Sequence, residues 1–148
     1  MAEAEATTGN EPAGKGLRAA LWGAQVLLAF VFVMAGLVKL TMPIEKLTAQ
    51  MPWMSGAFGP WVRLIAASDL AGGLGVLLPS VTRIKPRLTV LAAAGLVVIM
   101  LLATITHAMY GEWSHIGGTL MFGGLAAFVA WGRHVKAPIA ARVPRAAG

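Results

Sequence analysis

Four apolar stretches, each long enough to cross a bilayer and nearly free of charge, constrain this chain more than any other feature. Residues 17–40 read LRAALWGAQVLLAFVFVMAGLVKL. As a helix rising ~1.5 Å per residue, that segment covers a hydrocarbon core of ~30 Å. It is too long for the ~7–15-residue apolar region of a signal peptide. No Ala-x-Ala cleavage site follows it either, so it reads as a span. The other stretches cover about residues 61–78, 88–110 and 115–131. The second is the weakest, holding Arg63, Asp69 and three glycines, and Pro79 is expected to end it. Of the 148 residues, 57% are hydrophobic and 12% charged, against about 45–50% and about 25% in soluble domains. A chain this small cannot hide that excess in a core of its own, so lipid must solvate it. In lipid the backbone has to satisfy its own hydrogen bonds, which selects helices. The expected fold is all-α, an integral membrane four-helix bundle of up-down topology.

The segments between the spans carry the charge. Residues 1–16 are small and polar, with Glu3, Glu5 and Glu11, and read as a disordered tail ahead of a membrane domain over 17–133. Residues 41–60 are broken by Pro43, Pro52, Gly56, Gly59 and Pro60. There Thr41 is expected to cap a short helix with Pro43 in its first turn and Ile44, Leu47 and Met51 on one face. Trp53, Phe58 and Trp61 suit a headgroup layer, so this segment is expected to lie on the membrane surface. Loop 79–87 is basic, residues 111–114 form a turn, and 134–148 form a basic tail. With four spans, one side collects Lys15, Arg18, Arg83, Lys85, Arg87, Arg133, Lys136, Arg142 and Arg145, and the other only Lys39, Lys46 and Arg63. The positive-inside rule then places both termini in the cytoplasm, N-in and C-in, in the cytoplasmic (cell inner) membrane. Topology accounts for the net charge of +6, and no basic stripe interleaved with aromatics points to nucleic acid.

Cysteine is absent, which excludes disulfides, thiolate metal sites, iron–sulfur clusters and dithiol relays. Chemistry must come from a few polar residues inside the spans. A charge at a helix centre costs ~2.5–3.5 kcal/mol on insertion scales, so such residues face the bundle interior and find partners. Asp69 shares its face with Gly72, Gly73 and Val76, and Lys39 shares its face with Phe32, Ala35 and Gly36. His107 follows Met100, Ala103 and Thr104 on its own face. Helical side chains lean toward their own N-terminus, so Lys39, Asp69 and His107 are all expected at one level in the outer half of the bundle. Each also has a plainer role open to it: snorkelling for Lys39, an interfacial histidine, a structural carboxylate for Asp69. Arg63 beside Trp61 is expected to meet headgroups, and Glu112 and His115 to be solvated at the outer turn. His107 and His115 flank a tight turn and do not suit a bis-histidine haem, and His107, Asp69 and Glu112 lack a metal-site spacing. Thr119, Gly123 and Ala127 form a small-residue ridge for helix packing or a homo-oligomer.

These segments together resemble the DoxX-like family of small four-helix membrane proteins over about residues 20–133. AGLVKL (35–40) is similar to the family's glycine-and-lysine end of helix one, and DLAGGLGVLLPSV (69–81) to its acidic, glycine-rich helix two. ATITH (103–107) resembles its histidine-ended helix three, and WGR (131–133) its exit from helix four. Asp69 stands where the family usually has Glu, one methylene longer. The resemblance implies a four-helix bundle in the cytoplasmic membrane, and it leaves the activity open, since fold-level analogy transfers function poorly. Two classes of function follow. In one, the outer cluster of Lys39, Asp69, His107 and Arg63 binds a quinone or similar lipophile for a redox partner protein. Asp69 and His107 would then handle protons while Lys39 stabilises negative charge. In the other, the chain is a non-enzymatic partner subunit or small-solute carrier and the cluster is structural.

Overall fold

The apolar stretches form long helices, and no strand occurs among the described residues, which in this computed structural model are 13–55 and 59–143. Helix α1 (Lys15–Thr41) is followed by the short α2 (Ile44–Gln50), then by α3 (Val62–Thr82), α4 (Arg87–Met109) and α5 (Trp113–Trp131). Two single 3-10 turns, Pro52–Ser55 and Gly59–Trp61, lead from α2 into α3, and a π-helical turn, Gly132–Lys136, prolongs α5. Among the described residues, four helices (α1, α3, α4 and α5, with their flanking turns) are long and apolar enough to cross a membrane. The protein is therefore an all-α bundle of candidate membrane spans, as the sequence leads one to expect.

The bundle closes because each helix buries one stripe. On α1 that stripe is Leu21, Ala24, Gln25, Leu28, Ala29, Phe32 and Gly36, a recurrence of three or four residues. It packs on α3 and α5, while α3 also packs on α4 and α4 on α5. The central core joins Leu28, Phe32, Val76, Leu96, Ala126 and Val129. Phe32 and Phe122 meet edge to face there, with centroids 6.3 Å apart. Helices α1 and α3 come into backbone contact through two glycines. A Cβ on Gly36 would lie 2.8 Å from the Ala66 carbonyl oxygen, and one on Gly73 3.0 Å from the Val33 nitrogen. The outward faces carry Phe30, Leu64, Leu91, Leu102 and Met121, an apolar coat suited to lipid.

Several local expectations need correction. Pro79 does not end α3, which continues to Thr82 and stops at Arg83 in a left-handed conformation (φ 59°). Proline's ring conflicts with the carbonyl four residues earlier, here that of Gly75. The last turn is held instead by Ser80, which accepts a hydrogen bond from Gln25 of α1 and shares one with Thr89 of α4. Thr41 does not cap α2, because α1 runs through it and its hydroxyl donates to the Leu37 carbonyl. Lys15 and Gly16, expected in the tail, begin α1. The segment over 41–55 turns its apolar face inward: Leu47, Trp53, Met54 and Val62 form a small core with Ile44 and Met51 packed on it. Trp53 is thus buried, while Trp61 stays exposed. The expectations for Gly56 and Phe58, for the N-terminal residues 1–12 and for Arg145 fall outside the described residues.

Candidate functional site

Lys39 and Asp69 meet directly. Lys39 closes the last turn of α1 on the Gly36 face, and Asp69 lies on α3 one turn before Gly73, so the glycine contact brings the two side chains together. Lys39 Nζ donates to Asp69 Oδ2 at 2.6 Å, with 17% and 2% of the side chains exposed. Burial strengthens the attraction but also penalises each unpaired charge, so the pair is worth keeping only intact. Arg63, expected at the headgroups, is exposed and is also engaged within the bundle. It spans from α3 to the end of α1, where Nη1 donates to the Lys39 carbonyl and Nη2 to that of Met42 at 3.1 Å. The last carbonyls of a helix have no partners within it, and a guanidinium both satisfies them and suits the negative end of the dipole.

His107 is not part of that pair. Helix α4 ends in a turn where Gly111 takes φ +70°, its nitrogen bonding the Ala108 carbonyl at 3.2 Å and that of Glu112 bonding the His107 carbonyl at 2.8 Å. This double bond pattern folds the chain back over the helix end and requires a residue that tolerates the left-handed region. Its consequence is chemical: Glu112 hangs over His107, and Nδ1 lies 2.5 Å from Oε2. Both side chains are mostly covered, at 12% and 13% exposure. The His107 ring stacks on His115 at 4.9 Å and meets Trp53 edge-on at 6.3 Å. Glu112 is therefore not solvated, although His115 is exposed. The four expected cluster residues fall into two groups: Lys39, Asp69 and Arg63 tie α1 to α3, while His107 joins Glu112, His115 and Trp53.

A third polar group, unforeseen as a group, sits where the start of α1 meets the ends of α3 and α5. Gln25 is fully buried, donates to the Val76 carbonyl at 2.7 Å and to Ser80 at 2.9 Å, and accepts from Arg133 Nε at 2.7 Å. Ser80 bonds Thr89 at 2.8 Å. Arg133 is 6% exposed, and its guanidinium carbon lies 4.9 Å from the Trp22 ring centroid. Gln25 was missed in the sequence, although an amide on the Leu21–Leu28–Phe32 face is the signal that could have found it. Arg133 was hidden among tail charges. The Thr119–Gly123 ridge faces α4 of the same chain: Thr104 donates to Thr119 at 2.7 Å, and Gly123 lies against Met100. Ala127 is exposed. Among the described residues no three or more of His, Cys, Asp and Glu gather where they could hold a metal ion.

The model of the DoxX-like family matches residues 23–129. No curated protein and no solved structure matches the chain.

Proposed function

The chain belongs to the DoxX-like family, and from that premise we propose that it holds the polar head of a quinone-class lipophile beside His107 and Glu112, as the membrane component of a redox partner protein. One observation carries this reading: the 2.5 Å contact of a mostly covered imidazole with a carboxylate at the end of a membrane-length helix. A carboxylate on Nδ1 fixes the tautomer, so Nε2 is left to face a ligand. With the proton held on Nδ1, the bare Nε2 accepts from the hydroxyl of the reduced, quinol form and exchanges that proton as the head changes oxidation state. Glu112 Oε1 is buried without a hydrogen-bond partner among the described residues, a spare acceptor for a quinol hydroxyl. His115 and Trp53 offer flat rings beside it. Asp69 is engaged by Lys39, so proton exchange falls to His107 and Glu112, while Lys39, Asp69 and Arg63 hold α1 on α3. Electrons come from the partner protein. The location is the cytoplasmic membrane, with both termini on its cytoplasmic side.

The closed Lys39–Asp69–Arg63 group favours a second reading, a non-enzymatic partner subunit or solute carrier whose polar residues are structural. Organic extraction of the purified protein, followed by titration with a short-chain quinone monitored by tryptophan emission, separates the two. The first reading expects co-purified quinone and saturable quenching. It also expects His107→Gln or Glu112→Gln to weaken binding about tenfold or more, the loss of one charge-assisted bond of ~1.5–3 kcal/mol. No quinone and no saturable quenching would leave the second.

A further inference from the structure

At the Arg133 end an open groove of about 1220 Å³ runs between α4, the π-helical turn and the segment that follows it. Its floor is apolar, with Leu88 and Leu91 on successive turns of α4, and its mouth is basic, with Lys85, Arg87, Arg133 and His134. Among the described residues no carboxylate lines it. The described acidic residues, Glu45, Asp69 and Glu112, belong to α2, the middle of α3 and the α4–α5 turn. The far wall is fixed in place: the Arg142 nitrogen donates to the Arg83 carbonyl at 3.0 Å, and Arg83 Nε donates to the Ala140 carbonyl at 3.1 Å.

Arg133 gives the groove its specificity. Its side chain is more than nine-tenths buried, Nε is bound to Gln25 and Nη1 reaches the Ala137 carbonyl at 3.4 Å. Nη2 is buried with no hydrogen-bond partner among the described residues. A buried guanidinium with an unused donor is costly, and because Arg133 lines the groove, a small outward turn of its head presents Nη2 to a phosphate oxygen, the acceptor its fork fits best. Phosphate beside cations, with a continuous apolar floor leading away, describes one molecule that every bilayer can supply. We propose that this groove is a binding site for an anionic phospholipid, whose phosphate lies at Arg133, Lys85 and Arg87 and whose acyl chain lies along Leu88 and Leu91. The exposed cations gather the anionic lipid and the buried one fixes its headgroup.

The full-length protein, purified in a mild detergent and delipidated, is mixed with equal amounts of phosphatidylglycerol and phosphatidylcholine and read by native mass spectrometry. One phosphatidylglycerol is expected to be retained in preference to phosphatidylcholine. Two surface charges near an anionic headgroup each contribute roughly fivefold, so Lys85→Gln with Arg87→Gln should cut that preference about tenfold or more. Both side chains are exposed, so melting in phosphatidylcholine alone should not change in that variant. Arg133→Gln should abolish the preference. Should it fail to fold, the surface double variant still decides. Equal retention of the two lipids, or an unaltered preference in the double variant, would overturn the proposal. So would full competition by millimolar glycerol 3-phosphate, which would make this a site for a free phosphate compound.

Discussion

Asp69 keeps 2% of its side chain open and Lys39 17%, so each relies on the other to offset the loss of water around its charge. Removing one member of a buried pair leaves the other uncompensated at ~3–5 kcal/mol, whereas replacing both is often mild. Asp69→Asn and Lys39→Met are each expected to lower the melting temperature in detergent, and the double variant to recover part of the loss. A double-mutant cycle on melting measures the coupling, and strict additivity would dismiss the pair. His107→Gln should be additive with Asp69→Asn but coupled to Glu112→Gln, because its contact is with Glu112. The faces of Asp69 and Lys39 were legible from helical spacing alone. The choice of partner for His107 was not, because it depends on a backbone reversal at Gly111 that spacing along a helix does not encode. Arg133 was illegible for another reason: in a run of basic residues nothing in the sequence separates the buried one from those at the surface.

The helices themselves were the most legible feature, since length and apolarity in lipid admit little else. Their ends were not, because tertiary bonds decide them: Ser80 keeps α3 helical past Pro79, and Arg63 secures the close of α1. Glycines set how closely elements approach. Gly36 meets backbone atoms of α3, Ala66 O and Leu70 N, which cannot move aside as the tip of a side chain can. Gly36→Leu should therefore force α1 and α3 apart and separate Lys39 from Asp69, with a loss of melting temperature exceeding that of Lys39→Met. Gly111 acts on conformation, since a Cβ there would meet open space while φ is +70°. A left-handed residue other than glycine costs ~1–2 kcal/mol, more when β-branched. Gly111→Val should lower stability by at least that much. It should also release Glu112 from His107, visible as loss of the His107–Glu112 coupling in the same cycle.

At the scale of the whole molecule, the question is which way the bundle faces. Gln25, nearly three turns into α1, bonds Arg133, just past α5, so the first and last membrane helices meet at opposite ends of their own sequences. Arg83, after α3, bonds the segment after α5. These contacts place the start of α1, the α3–α4 loop and the exit from α5 together, an arrangement that three crossings would not produce. The same end gathers Lys15, Arg18, Arg83, Lys85, Arg87, Lys136 and Arg142, against Lys39, Lys46 and Arg63 near the other. Basic residues close to short loops resist translocation, and the richer side stays in the cytoplasm. An anionic phospholipid at Arg133 would act in the same direction, since the cytoplasmic leaflet carries negative lipids. Reporter fusions at residues 16, 83 and 140 are therefore expected to read cytoplasm, and one near residue 50 the opposite side. Neutralising Arg83, Lys85 and Arg87 together should weaken this bias and produce a mixed signal at residue 50. A cytoplasmic signal there in the unaltered protein would mean that charge does not orient the bundle, and the lipid groove would then face the other leaflet.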